Sequence, residues 1–304
     1  VQLDSNGAAS IDADDIDNGS NDACGIASMS LSQAAFDCSH VGPNTVTLTV
    51  TDNNGNASMA TATVTVQDNV NPTALTQDYT VQLDASGNGS IDVDDIDNGS
   101  SDACGIASRS LDITSFTCAD LGEQLVTLSV TDNNGNSSTA TATVTVEDSI
   151  NPIIDAPASN QEVECDGDGN TAALIAWLDA NGGATASDNC GPVTWENDFQ
   201  TMANSCGGSG AVQVIFTASD PSGNESTTTA TFTIIDTTSP DLITPASEET
   251  VECDGSGNTE QLNAWLDSHG GASASDMCSD VTWSHNYGNG AIMSDGCGAT
   301  GSVE

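Results

Sequence analysis

The sequence predicts an all-β chain of tandem immunoglobulin-like β-sandwiches, the second repeat type carrying one short inserted helix. Three observations carry that expectation. Residues 1–72 align with residues 81–152 at a constant offset of 80 without a gap, and 48 of the 72 positions are identical. Apolar and polar residues alternate in runs of six to eight, the period of a half-buried strand. Turn clusters of Asp, Asn and Gly punctuate those runs at regular intervals. A second repeat follows Pro152, where Val163-Glu164-Cys165-Asp166-Gly167 returns 88 residues later as Val251-Glu252-Cys253-Asp254-Gly255. Four modules are read, over residues 1–70, 71–150, 151–238 and 239–304. The first is expected to be truncated at its N-terminus and the last at its C-terminus.

Taken in order through the second module, the strands fall at Thr80–Leu83, Gly89–Ile91 and Ile106–Leu111. Two longer ones follow, Val126–Thr131 and Thr139–Val146, joined by the turn Asp132-Asn133-Asn134-Gly135-Asn136 into a hairpin. The linkers read as Gln67–Pro72, Glu147–Pro152 and Asp236–Pro240, each closed by a proline that removes a ladder donor. In the third module, Asn170 or Thr171 is placed to cap a helix over 172–178, which Asn181-Gly182-Gly183 terminates. Leu174, Trp177 and Leu178 share one face of it, a packing stripe.

Charge narrows the function. The chain holds 45 acidic residues against one Lys or Arg, for a net charge of −44. Nucleic acid is excluded as a partner, because its affinity comes from Lys and Arg on phosphates. Insertion of this segment into a membrane is excluded too, since no apolar run is long enough to span a bilayer. With 4% aromatic residues the cores are thin, so the modules need help from disulfides or metals. The ten cysteines recur at fixed places, pointing to an oxidising, extracellular setting. Zinc would call for Cys-x-x-Cys or Cys/His pairs, and neither spacing occurs. Catalysis is not expected: His40, His269 and His285 lie at unrelated positions, and no nucleophile elbow is present.

The stretch Ile91–Ile106, present first as Ile11–Ile26, packs five aspartates into eleven residues. Such a cluster repels itself unless a cation sits inside it, and calcium favours carboxylate and carbonyl oxygens in flexible loops. Asp14, Asp15, Asp17 and Asp22 are the expected ligands in the first copy, with Asp94, Asp95, Asp97 and Asp102 in the second. A solvated acidic turn is the competing reading. The hairpin turns offer Asp52, Asn54 and Asn56, then Asp132, Asn134 and Asn136, although such residues favour turns for backbone reasons as well. Asp188, Asp220 and Asn224 hold corresponding places in the third module. Cys24 and Cys38 recur as Cys104 and Cys118, so each module is expected to close its own loop. Cys190 with Cys206, and Cys278 with Cys297, hold equivalent places.

The Asp-Ile-Asp-Asn-Gly-Ser-x-Asp-x-Cys-Gly-Ile segments, the Thr-Asp-Asn-Asn-Gly-Asn turns and the Val-Glu-Cys-Asp-Gly segments resemble hyalin-repeat-like (HYR-like) modules. Arrays of these are similar to the giant surface adhesins of Bacteroidota, gliding-motility adhesins among them. The resemblance covers the whole chain and implies type IX secretion and display at the bacterial cell surface. It also implies O-glycosylation at Ser149 in Asp-Ser-Ile and Thr237 in Asp-Thr-Thr. One departure stands out: many modules of the second kind carry a cysteine where this chain has Ser222, which leaves Cys165 without its obvious mate. The linkers, an Asp, an Asn and then a Pro, resemble cadherin junctions in form, which implies a stiffening calcium there.

The function expected is therefore a structural stalk segment of a secreted, calcium-stabilised adhesin or filament, its partners being neighbouring repeats of the same chain. The alternative is that the repeats themselves bind glycans or a neighbouring cell. A more remote reading is the non-catalytic spacer of a secreted enzyme.

Overall fold

A computed structural model describes residues 1–202, 209–252 and 258–287. The chain divides into two compact units, residues 1–150 and 151–304.

In the first unit the second module is the fuller example. Its main sheet runs in the order Tyr79–Gln82, Ser137–Glu147, Gly122–Asp132, Ile106–Leu111, with the first pair parallel and the others antiparallel. A two-stranded sheet, Asn88–Ser90 with Ser115–Thr117, faces it. The alternation read from sequence decides which side is buried. Val126, Leu128 and Val130 are fully buried, as are Val144 and Val146 or nearly so, while Thr127, Ser129, Thr143 and Thr145 alternate toward solvent. Phe116, Ile91 and Ile96 fill the opposite side. Gly122 pairs with Val146 and Thr131 with Ser137, so the buried positions of the two strands together run nearly the whole length of the hairpin. Gly135 turns it at φ +95°, a conformation that strains any residue with a Cβ.

The first module repeats this with Ile26–Leu31, Gly42–Asp52 and Ala57–Val66 in one sheet and Ala8–Ser10 with Ala35–Asp37 in the other. Its core holds Leu3, Phe36, Val46 and Val66. This is the tandem all-β, immunoglobulin-like architecture that the sequence predicts.

In the second unit, the sheet Gln161–Glu164, Glu225–Ile235, Gly210–Ser219, Thr194–Asn197 has the same order and the same parallel first pair. A helix, Thr171–Asp179, covers it. Leu174 and Trp177 are buried against Phe216 and Phe232, Leu178 packs beside them, and Trp177 Nε1 donates to the Ser159 carbonyl at 3.1 Å. The helix boundary matches expectation but the cap does not. Asn170 occupies the N-cap position at φ 51° with no side-chain cap bond; its side-chain Nδ2 instead donates to the Glu164 carbonyl at 2.8 Å. Its side-chain oxygen Oδ1 accepts the Asp166 amide at 3.2 Å, so this side chain closes the preceding loop rather than the helix. In the fourth module the corresponding helix is Thr259–Asp267, beside the strand pair Asp241–Thr244 and Ser273–Ser275.

The acidic stretch of the second module contains a one-turn helix, Val93–Ile96. Asp92 caps it, and the Asp95 side chain accepts the Asp92 amide in return. Ile96 pins that turn to the core with no exposed surface. Ile96→Ala should therefore cost about 2–5 kcal/mol in chemical denaturation, a cavity penalty. A change under about 0.5 kcal/mol would mean that the segment is not anchored by this side chain.

Candidate functional site at the joint between modules

Each module carries a short loop of the form Asp-x-Cys: Asp22–Cys24, Asp102–Cys104, Asp188–Cys190 and Asp276–Cys278. In all four the Asp Oδ1 accepts the Cys amide, at 2.7, 2.7, 2.8 and 2.8 Å. The Asn of the hairpin turn holds the loop from the side. Asn53 Nδ2 donates to the Cys24 carbonyl at 2.7 Å, and Asn133 Nδ2 to that of Cys104 at 2.8 Å. The loop is thus fixed at the end of the module where the long hairpin turns. The other cysteine of the repeat lies at the opposite end. Cys38 and Cys118 open helical turns that lead directly into Gly42–Asp52 and Gly122–Asp132.

This polarity overturns the expected pairing. The strand between the two ends has 11 residues, which at about 3.3 Å each is roughly 35 Å. A disulfide tolerates Cα atoms no more than about 7 Å apart. Cys24 therefore does not bond Cys38, nor Cys104 Cys118. Instead Cys104 of the second module bonds Cys38 of the first, with Cα atoms 5.1 Å apart and a sequence separation of 66. Cys278 of the fourth module likewise bonds Cys165 of the third across 113 residues, so Cys165 has a mate and Cys278 is not paired with Cys297. Cys118 is oxidised as well, and so is Cys190. Cys24 is a free, exposed thiol. Cys206, Cys253 and Cys297 lie outside the described residues.

The docked loop fits closely. A Cβ on Gly7 would fall 2.7 Å from the Cys38 sulfur and 3.2 Å from the Ala103 methyl, so the absence of a side chain there makes room for the incoming loop. Cys38 and Cys104 both pack against the core of the first module. In the second unit a Cβ on Gly167 would meet Met277 at 2.9 Å, and Cys278 is buried in the core of the third module. By the chain-entropy relation, loops of 66 and 113 residues stabilise by about 4–5 kcal/mol each.

Beside Cys104 lies a pair of carboxylates. Asp68, in the linker, is 7% exposed. Its Oδ1 accepts the Val70 amide at 3.0 Å, while its Oδ2 is buried and has no hydrogen-bond partner. Carboxylate oxygens of Asp68 and Asp102 and the Cys104 sulfur all lie within 4.8 Å of one another. Cys104 is oxidised and offers no thiolate, which leaves two carboxylates facing each other. A buried carboxylate oxygen without a donor, next to a second carboxylate, fits a hard divalent cation. Asn136 Nδ2 ties the joint further by donating to the Asp68 carbonyl at 3.2 Å. Asp148 stands 80 residues beyond Asp68, is also buried, and accepts the Ile150 amide at 3.1 Å.

The remaining sequence-predicted ligands are placed differently. Asp15 accepts the Asp12 amide, and Asp17 accepts from Gly19 and Ser20. Asp97 and Asp94 flank Arg109, at 2.6 and 3.1 Å. Asp14 is exposed, as is Asp22. Asp52 accepts the Asn54 and Asn56 amides and the Asn56 side chain, and Asp132 makes the same three bonds with Asn134 and Asn136. The Asn56 side chain, with those amides, holds the Asp52 carboxyl below the ordinary 3.8. For Asp132 burial pushes upward, and the Asn136 and Asn134 donors outweigh it to give a net lowering. Both groups therefore contribute stability that is present above the ordinary carboxylate range and is lost as the pH falls through their lower folded values. Asp188 and Asp220 accept their own loop amides. Of the proposed modification sites, Ser149 is exposed, and Thr237 is exposed with its hydroxyl donated to Glu164 Oε2 at 2.8 Å.

No family model matches the chain, and no curated protein matches it. Solved structures similar to it include protocadherin gamma B7 extracellular cadherin domains 1–4, at 9% identity over 73% of this chain and 70% of that one, TM-score 0.29. Drosophila N-cadherin EC1-4 is another, at 11% identity over 81% and 76%, TM-score 0.28. Mouse clustered PcdhgC3 EC1-3 is a third, at 13% identity over 67% and 83%, TM-score 0.28.

The pairing has a direct readout. Unreduced, alkylated protein digested to peptides should yield Cys38 joined to Cys104 and Cys165 joined to Cys278, with the alkyl group on Cys24. Peptides joining Cys24 to Cys38 would contradict the joint.

Proposed function

We propose that the chain is a structural segment of a secreted stalk, in which modules are laced head to tail by disulfides and clamped at the joint by calcium. The observation that carries this reading is the reach of Cys104 out of its own module into the core of the one before it. A bond placed there resists separation of neighbours, which is what a load-bearing segment requires. Disulfides in this number fit an extracellular site of action. Together with the resemblance to HYR-like modules, they favour display on a bacterial surface as part of an adhesin.

Calcium completes the joint. Asp68 and Asp102 are the residues that would hold it, and the ion would replace carboxylate repulsion by attraction across the boundary between modules. In a chain with one Lys or Arg against 45 acids, the protein has almost no cation of its own to offer. Binding to the folded state alone at a hundredfold excess over Kd adds about 2.7 kcal/mol per site.

Thermal unfolding of the 304-residue protein should shift to higher temperature in calcium and to lower temperature in EDTA. Asp68→Asn, which keeps the shape and the bond to the Val70 amide, should reduce that calcium response. Identical melting curves in calcium and chelator for the parent protein would remove the ion from the reading.

A further inference from the structure

We infer that the Asp22–Cys24 loop of the first module is an unfilled docking tongue, whose partner is another module of this 80-residue kind joined on its N-terminal side. The inference rests on the stalk reading only insofar as modules join at all, and it concerns a joint that no bond in the structure makes.

The comparison that supports it is internal. Cys24 and Cys104 occupy the same position at the offset of 80, and their loops superpose bond for bond. Asp22 and Asp102 each accept the cysteine amide at 2.7 Å, and their carbonyls each accept the next glycine amide at 3.2 Å. Gly25 and Gly105 sit at φ +92° and +93°. Their carbonyls accept the Asn53 and Asn133 amides at 3.2 and 3.1 Å. The Asn53 and Asn133 side chains clamp the two cysteine carbonyls within 0.1 Å of the same distance. One of these loops is engaged and the other is not. Asp102 and Cys104 are half-buried under the first module, whereas Asp22 and Cys24 are exposed. The loop therefore takes its docked shape without needing a partner, and binding costs little ordering entropy.

The receiving surface is also repeated. The Cys38 sulfur lies 3.8 Å from the Gly7 carbonyl oxygen, and the Cys118 sulfur lies 3.8 Å from that of Gly87. Every module of this kind thus presents a receptor cysteine at one end and a tongue at the other. The occupant follows from that polarity: a module whose Cys38-type residue stands 66 residues before Cys24, the separation of the bond already made. Such a module also brings an Asp68-type carboxylate to Asp22, the same pair that meets at Asp68 and Asp102.

The chemistry is thiol–disulfide exchange. The Cys38-type thiolate attacks a small-molecule disulfide such as oxidised glutathione and releases one glutathione thiol. The Cys24 thiolate then attacks that mixed disulfide and releases the second. Two protein thiols are oxidised, one glutathione disulfide is reduced, and the two thiol protons end on the two released glutathiones.

The test adds one period to the intact chain. Residues 1–80 are placed once more in front of Val1, and the protein is refolded with reduced and oxidised glutathione. It is then alkylated, digested without reduction and analysed by peptide mass spectrometry. In the parent chain Cys24 carries the alkyl group. In the extended chain Cys24 should be joined to the added copy of Cys38, and the alkyl group should move to the added copy of Cys24. Cys24 still alkylated or glutathionylated in the extended chain, or joined within its own module, would overturn the inference. The Cys38–Cys104 peptide in the same digest reports separately on the joint already described. Its presence beside an alkylated Cys24 defeats this inference alone, and its absence defeats the stalk reading with it. A second extended chain, with Cys24→Ser in the added copy, should leave Cys24 and the added Cys38 copy without alkylation; alkylation of both would overturn the inference.

Discussion

The constraint on which the rest depends is the length of the central strands. A thiol at the turn end of Gly122–Asp132 and a thiol at its start are separated by the height of the module. No rearrangement short of unfolding brings them together, because the strand's register is fixed by ten pairs with its neighbour. Oxidation must then join the end of one module to the start of another. Covalent closure, which in small extracellular domains usually ties a single core, is here moved to the boundary. A core as small as the four buried apolar residues of the first module gains support from its neighbour as a result.

Electrostatics sets the second condition. The acids are not left to repel one another freely: Asp4, Asp52, Asp132, Asp166 and Asp276 are each bonded to amides of their own turn. The backbone supplies the positive ends of dipoles that lysine and arginine supply elsewhere. Asp68 is held in this way through one oxygen only. Its second oxygen is buried beside another carboxylate without a donor, and it lies where two modules meet. Two carboxylates, Asp68 and Asp102, are thereby brought together at the joint.

Much of this was legible in the sequence, for identifiable reasons. The offset of 80 exposed the modules, and the period-two runs marked Gly122–Asp132 and Ser137–Glu147 because both sheet faces there are consistently apolar or polar. The equivalence of Cys24 with Cys104, and of Cys38 with Cys118, was visible too. Their partners were not, since a spacing of 14 residues from Cys24 to Cys38 suggests a local loop, and spacing does not record that a strand carries the chain away and a second sheet carries it onward. Cys165 held the available clue. Its apparent lack of a mate within its own module was a sign that bonds cross boundaries. Asp68 was hidden for a similar reason: its burial comes from the next module, and Asp102 is 34 positions away in sequence. Asn170 looked like a helix cap, and a left-handed backbone turned its side chain back to the loop before it.

Mechanical unfolding between the chain termini reads the lacing most directly. The bond from Cys38 to Cys104 shields 66 residues, roughly 220–240 Å of extended chain. The oxidised protein should reach a final contour length shorter by that amount than a Cys38→Ser, Cys104→Ser double variant. A difference of only about 100 Å, the length of two 14-residue loops at about 3.5 Å per residue, would return the disulfides to the interior of single modules and contradict a stalk laced across its joints.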